Sequence, residues 1–487
     1  DGATPASMQL VTGSSDNHIA TFRVEETTGA ENVTLTKIIV KNSTAADTTL
    51  INWALYDGET GAQIGSTVPV SSSGVVTFNA LSWFIPAGEV KTFKVKVGVS
   101  GYTAATENTA NYAYLASGNS NAFEGNGSGS GTMTITVGTS NISANSMKVF
   151  RTVMTATGKT TANLGGAYGA TQEIAKFGLV ADANYNAKFQ AAVVNAVADN
   201  TNWVTDIGAA AVIDEATYTI DGAAIELNEN SGATADDSAF YAGASAAQLS
   251  VDYSGYKYAG FWIMSDIAEA ASDVEFCLIT GATSTVDSAE CSAAAAGTVA
   301  GGSTLGKLPA LTADIWDYVE VDISGVTRTD VDGYGINFVT GLVSGQQVYL
   351  DSFKFYNDSI NLDISGNLGT ATTSDGLVVY MKDASGTTVM TGYLDNANST
   401  SSATVMFVPG TSAISIGSTE QVYTVTTNTT TLMATDDTSD QSLNVNIDLG
   451  GVSTAGDFRW YDGAITATSP ITWVSGPSDP ITFSFSY

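Results

Sequence analysis

The chain of 487 residues carries one histidine, His18, two cysteines, Cys277 and Cys291, and 8 prolines. Any histidine-based triad, zinc site or histidine general base would have to rest on His18 alone. His18 stands in a polar stretch just before a strand and reads as a solvated loop residue. The enzyme chemistry left open is carboxylate-pair glycoside cleavage and some lyase reactions, and we expect no enzyme. Lys and Arg total 17 against 49 Asp and Glu, for a net charge of −32. Charged residues make up only 14% of the chain, against about 25% in typical soluble domains. The acidity therefore reflects missing cations, not surplus carboxylates. Without clustered cations, nucleic acid and anionic membrane surfaces are excluded as partners. Divalent cations, which bind carboxylate and carbonyl oxygens, are not. No apolar run approaches about 18 residues, so no segment reads as inserted in a membrane. The opening Asp1-Gly2-Ala3-Thr4-Pro5 has no initiator Met, as in a secreted chain whose signal peptide has been removed.

What is present is period-2 alternation and turn punctuation, with almost no helical pattern. Over residues 5–144 the candidate strands are Ser7–Val11, Ile19–Glu25, Thr34–Lys41, Thr49–Tyr56, Gly74–Asn79, Val90–Val99, Ala110–Ala116 and Thr132–Val137. Short strands at this spacing, separated by Gly, Asn and Asp clusters, predict an antiparallel sandwich. Residues 119–131, NSNAFEGNGSGSG, read as a hairpin tip or linker; no helix follows to make them a phosphate cradle.

The chain repeats itself. Residues 18–40, HIATFRVEETTGAENVTLTKIIV, return as residues 173–194, EIAKFGLVADANYNAKFQAAVV, with Ile174 and Phe177 matching Ile19 and Phe22. Ser146-Met147-x-Val149-Phe150 matches Ser7-Met8-x-Leu10-Val11. Leu55-Tyr56-Asp57-Gly58-x-x-Gly61-x-x-Ile64 is echoed by Tyr380-Met381-Lys382-Asp383-x-x-Gly386-x-x-Val389, but only after a long interruption. The expectation is an all-β chain with two Ig-like β-sandwich domains, the second interrupted by an inserted jelly roll. The boundaries are 1–145 for the first domain, 146–198 and 359–487 for the two parts of the second, and 199–358 for the insert.

The insert contains residues 247–264, AQLSVDYSGYKYAGFWIM, then Trp316-x-Tyr318-Val319-Glu320-Val321-Asp322-Ile323-Ser324, and it closes on residues 348–355, VYLDSFKF. These strands resemble the jelly-roll carbohydrate-binding and galactose-binding-like modules of secreted proteins. The host domains resemble β-sandwich repeats of surface-layer proteins from candidate-phyla bacteria. They carry that style in residues 55–65, in Ile85-Pro86-Ala87-Gly88-x-x-Lys91-Thr92-Phe93-x-Val95-x-Val97, and in residues 458–463 and 471–476. That likeness implies a cell-surface setting and no particular chemistry.

The jelly-roll resemblance implies a structural calcium held by Asp351 of the last strand, Asp221 of a turn and Asp199 (or Asn200) at the start of the module. Asp221-Gly222 reads equally as a plain hairpin turn. For glycans, the aromatic candidates are Trp262 and Tyr334, with Tyr241 and Trp316 also available; all lie in strands, where core packing is the better explanation. Asp314, Asp317, Glu320 and Asp322 gather around Trp316, but Glu320 and Asp322 alternate along a strand as solvent-facing residues do. Cys277 and Cys291 are either a local disulfide, the preferred reading for a secreted chain, or two buried thiols. The expected function is a self-assembling cell-surface subunit: a surface-layer lattice, or a filament built by β-addition through the N-terminal strand. The alternative is an adhesin that binds environmental or cell-surface glycans through the insert.

Overall fold

A computed structural model describes residues 2–45, 48–119, 121–161, 172–195, 200–205, 211–215, 219, 224–229, 237–242, 249–280, 298–299, 306–368, 378–395, 401–428, 442–463 and 468–486. Among them the only helical element is the single 3-10 turn Asn200–Asn202; the rest is strand and connection. Three large clusters of buried apolar residues divide the chain into two host sandwiches and an insert.

In the first sandwich one sheet runs, in spatial order, Asn17–Glu25, Val90–Val99, Leu50–Asp57, Gln63–Val68. Alternation decides its faces: Phe93, Val95 and Val97 are buried while the lysines between them face outward. The opposing sheet is centred on Val33–Asn42. Phe123–Gly127 and Ala113–Leu115 pair along one side of that strand, and Val75–Phe78 and Trp83–Ile85 along the other. Asp57 ties the sheets together, its carboxylate accepting the Trp83 indole N–H at 2.7 Å and the Thr60 amide at 2.8 Å. The stretch expected as a loop, residues 119–131, holds the strand Phe123–Gly127, paired to Val33–Asn42 and to Gly131–Ile135. Its glycines misled the reading: a Cβ on Gly125 would sit 2.8 Å from the Thr34 carbonyl oxygen. The glycine is there for close backbone approach in a packed sheet, not for a mobile tip.

The second sandwich repeats the first sheet: Gln172–Ala181, Gln421–Thr427, Val378–Lys382, Thr388–Asp395. Even the irregularity recurs. A bulge between His18 and Ala20 tucks in Ile19, and one between Glu173 and Ala175 tucks in Ile174, both fully buried. The motif echo was one residue out of step. Leu55 pairs with Val95, and Met381, not Tyr380, pairs with Val425. The turn after Asp383 is one residue shorter than that after Asp57, so aligning Gly61 with Gly386 placed every side chain on the wrong face.

The insert enters in the middle of a strand. Val33–Leu35 pair with Trp83–Ile85, and their counterparts Ala187–Phe189 pair with Ile414–Ile416. Ile38–Lys41 pair with Val75–Phe78, and their counterparts in Ser359–Gly366 pair with Ser402–Pro409. One continuous strand of the first copy is thus cut in two in the second, and residues 190–358 leave and return at the cut. The strand Val193–Asn195, expected to belong to the host, pairs with Gln347–Tyr356 of the insert, so the insert begins before residue 199.

Within the insert, the longer strands from Ala224–Asn228 onward alternate between two sheets. Ala224–Asn228, Tyr258–Ser265, Asp317–Asp322 and Gln347–Tyr356 lie in one; Asp237–Tyr241, Val274–Thr280 and Val331–Phe338 lie in the other. This alternation is the jelly-roll pattern. The core between them is aromatic, with Phe261 stacked on Phe353 at 4.6 Å and Tyr253 on Phe355 at 4.0 Å.

The two copies are joined by a parallel pair, Met8–Val11 beside Met147–Phe150, in which every residue faces its own repeat equivalent: Met8 and Met147, Leu10 and Val149, Val11 and Phe150. Met147 and Val149 pack into the first core and Phe150 into the second. Gln9 adds a buried hydrogen bond to the Trp473 carbonyl at 2.7 Å.

Candidate functional site

The most chemically loaded region is the seam between the insert and the second sandwich. The sheet strands Tyr258–Ser265, Asp317–Asp322 and Gln347–Tyr356 turn one face to the core and the other to the host. On the host-facing side Trp262, Met264, Trp316 and Tyr349 cluster with Ala224, and Val378 of the host packs against them. Further along, Tyr356 and Tyr258 meet Val408 and Met406 of the host strand Ser402–Pro409.

A buried ion pair lies in this seam. Arg459 of the host strand Phe458–Arg459 donates to Glu320 Oε2 at 2.6 Å, and Glu320 is 4% exposed. The Tyr356 hydroxyl donates to the same oxygen at 2.8 Å, and Tyr318 donates to Tyr356 at 3.1 Å. The guanidinium lies 4.4 Å from the centre of the Tyr258 ring. Gly260 makes room for this cluster, since a Cβ there would run into the Tyr318 hydroxyl. Burial, then the Glu320 carboxylate, raise the Tyr356 phenol well above its ordinary value, so it stays a donor.

At the neck, Asp358 accepts the Gln190 amide at 2.6 Å through Oδ2, joining the last residue of the insert to its first. Its Oδ1 is buried without a hydrogen-bond partner. Burial, opposed by the Gln190 amide and by Arg459, pushes this carboxyl up to about 8. Asp457, in the turn beyond Ile447, is pushed to about 7 by burial and by the nearby carboxylates of Asp363, Asp448 and Asp479.

The residues expected to carry chemistry are dispersed. Trp262 is 1% exposed beneath the host, and Tyr334 is 1% exposed in the insert core, stacked on Tyr241 at 5.3 Å. Neither presents a ring face to a glycan. Glu320 was expected to face solvent; alternation placed it on the outer face correctly, but the host covers that face. Asp322 instead accepts the Ser324 amide at 2.9 Å and lies 3.7 Å from Lys257, so it and Glu320 serve different partners and form no acid–base pair. His18 lies inside the strand Asn17–Glu25, not in a solvated loop. Its Nε2 is 3.0 Å from the Ala20 carbonyl and 2.9 Å from the Thr21 hydroxyl, and burial lowers its pKa.

Asp351 is fully buried on the host-facing sheet, opposite Trp262 in the ladder and accepting the Ser352 hydroxyl. Asp199 and Asp221 lie outside the described residues. Among the described residues, no group of three or more His, Cys, Asp or Glu is placed to hold a metal ion. Cys277 is disulfide-bonded. Cys291, the only other cysteine in the chain, lies outside the described residues. Among the described residues, no helix is long and apolar enough to cross a membrane.

Sequence reasoning missed Arg459, Tyr356 and Asp358. A lone arginine within an otherwise apolar strand, in a chain so poor in cations, was the signal available for the first.

No family model matches the chain, and no curated protein matches it. Solved structures give distant likenesses. The glycoside hydrolase domain of Endo-D from Streptococcus pneumoniae R6 is 11% identical over 54% of this chain and 37% of its own, with a TM-score of 0.22. A structure of promiscuous carbohydrate-binding modules of the β-sandwich superfamily is 12% identical over 70% of this chain and 99% of its own, at 0.20. The BSP domain of a biofilm-associated protein is 10% identical over 99% and 94%, at 0.12. At such scores these likenesses carry no functional argument.

Proposed function

We propose that the chain is a structural, extracellular subunit of a self-assembling cell-surface layer, with a filament as the second form of assembly. The observation that carries this reading is the way three sandwiches are fastened into one body. A parallel strand pair shares its side chains between two cores, and a buried seam holds the insert against its host. Such a build suits transmission of position from one end of a subunit to the other more than it suits a module that must present a ligand face. A net charge of −32 makes copies repel one another unless cations screen or bridge them. That is the role we assign to calcium, with carboxylates including Asp351, Asp221 and Asp199 as its candidate ligands.

Negative-stain imaging of purified chain with calcium, and again after chelation, tests the reading. Sheets or filaments that dissolve in chelator support it; monomers that persist at high calcium and high protein concentration sink it. The second reading, a glycan-binding adhesin, draws on the jelly-roll strand alternation of the insert. It predicts retention of the intact chain on a glycan array in its monomeric form. Trp262→Ala is not a clean test of it, because that substitution would first disturb the seam.

A further inference from the structure

The two copies differ at one edge. In the second sandwich, Met154–Gly158 pair antiparallel with Gln172–Ala181, Met154 opposite Ala181 and Gly158 opposite Phe177. Thr155 also bridges to Ser475, closing the gap between the two sheets, with Met154 and Ala156 fully buried. Among the described residues the first sandwich has no such strand: residues 12–16 lead directly from Met8–Val11 into Asn17–Glu25, where the second copy uses residues 151–171. Asn17–Glu25 therefore pairs on one side only. Beside it lies a groove of about 250 Å³, lined among others by Val24, Val33, Leu35, Ile85, Met133 and Ile135. Ile135 is 37% exposed.

The backbone of the free edge is identifiable. Thr21 points its amide and carbonyl away from Val90–Val99, and both are taken by the Thr4 hydroxyl at 3.0 and 2.8 Å. Two-residue periodicity puts the amides and carbonyls of Arg23 and Glu25 on the same outer edge. Glu26, of opposite parity, donates inward to the Glu89 carbonyl. The side chains of Arg23 and Glu25 are exposed and 2.6 Å apart within the strand.

We propose that two copies of this chain pair antiparallel through this edge, about a two-fold axis at Val24. Each strand then stands where Met154–Gly158 stands in the second sandwich. Charge selects the register. Centred on Val24, each Arg23 faces the partner's Glu25 in a hydrogen-bonded position, giving two such pairs per dimer. Moving the axis one residue either way sets Arg23 against Arg23 or Glu25 against Glu25, and such like-charge pairs are unfavourable. The two Val24 side chains meet at the closely spaced position, on the groove side, and extend the apolar cover over Met133. A two-fold contact is self-complementary and closes a dimer. The inference rests on the self-assembly reading and names one contact within it.

The test uses the intact chain. Sedimentation velocity over a concentration series should show a monomer–dimer equilibrium. Arg23→Glu and Glu25→Arg should each weaken it at least about tenfold, and the double exchange should restore it. Circular dichroism confirms that the variants fold. Single variants that dimerise like the parent, or a double exchange that stays monomeric, overturn the proposal. If the layers seen by negative stain form unchanged in the single variants, this contact is wrong while self-assembly stands. If the parent is monomeric throughout and forms no layers, both fall.

Discussion

One polypeptide has built the same sandwich twice, and the two versions spend their edges differently. The first copy keeps a continuous Val33–Asn42 strand and, among the described residues, gives Asn17–Glu25 a strand neighbour on one side only. The second cuts the corresponding strand to admit a whole domain, covers the corresponding edge with Met154–Gly158, and joins its sheets through Thr388–Asp395 paired to Ser402–Pro409. The core pattern survives both treatments, since Ile19, Phe22 and Phe93 of one copy reappear as Ile174, Phe177 and Tyr423 of the other, all buried. What the difference teaches is that the interior fixes the fold, while edges and strand ends are free to take on partners.

The ion pairs sharpen this comparison most. Glu124 and Arg459 occupy corresponding strand positions: Glu124 meets Lys37 at 2.6 Å with its side chain 36% exposed, while Arg459 meets Glu320, whose side chain is 3% exposed. Glu320→Ala leaves a guanidinium in the seam without its counter-charge and should cost about 3–5 kcal/mol. Glu124→Ala should cost at most about 1 kcal/mol. Urea unfolding of the two variants, compared with the parent, measures both.

Next in size is the strand that closes the edge of the second sandwich. Met154→Ala empties a fully buried site and should cost about 2–4 kcal/mol. Met133→Ala, beside the open groove of the first copy, should cost under about 1 kcal/mol. Equal losses in the two variants would mean the first groove is closed in solution.

Smaller again is the turn pair. Asp57→Ala strips the partner from the Trp83 indole and from the Thr60 amide, and should cost about 1–3 kcal/mol. Asp383, whose partners are the exposed Ser385 and Thr387 amides, should tolerate Ala without a measurable shift in thermal midpoint.

The last contrast, at the neck, shows as a pH dependence. The Asp358 carboxyl is raised to about 8 in the folded chain, against about 3.9 for an exposed aspartate. The folded state therefore holds this proton more tightly than the unfolded one. The associated stability is fully present below about pH 4 and is lost as pH rises towards about 8. Asp358→Asn keeps an oxygen for the Gln190 amide and removes the ionisation. Its thermal midpoint should match the parent near pH 4 and exceed it by roughly a few degrees near pH 9. A parallel pH dependence in the two proteins would refute the assignment.

The part of this architecture written in the sequence is the part that depends on local alternation. Phe93, Val95 and Val97 mark a face without help from any other segment, and the Ile19 and Phe22 repeat reports the duplicated sheet. What depends on contact between distant segments was not legible. Alternation assigned Glu320 and Trp262 to the outer face of their sheet, but nothing local says that Val378, Val408 and Arg459 lie across from them. Gly125 is the reverse case: a local sign of flexibility whose cause is the Thr34 backbone pressed against it. The interruption was legible, but its expected start at residue 199 falls after Gln190, where the host strand breaks off, and its position inside a strand was hidden, because Ala187–Phe189 and Ser359–Gly366 read as two ordinary strands.

That mid-strand position dictates an order of events. Phe189 and Ile360 belong to one line of the host sheet but are held apart by the entire jelly roll. As a loose loop, the jelly roll would make their meeting slow and entropically costly. Once the jelly roll is folded, its two ends emerge side by side, with the Gln190 amide on Asp358, and the broken strand is presented to the host almost as if it had never been cut. The insert is therefore expected to mature first, with the second sandwich waiting for it while the first does not. Pulse-labelled hydrogen exchange during refolding should show amides of Tyr258–Ser265 protected before those of Gln172–Ala181. Protection of Asn17–Glu25 should be independent of both.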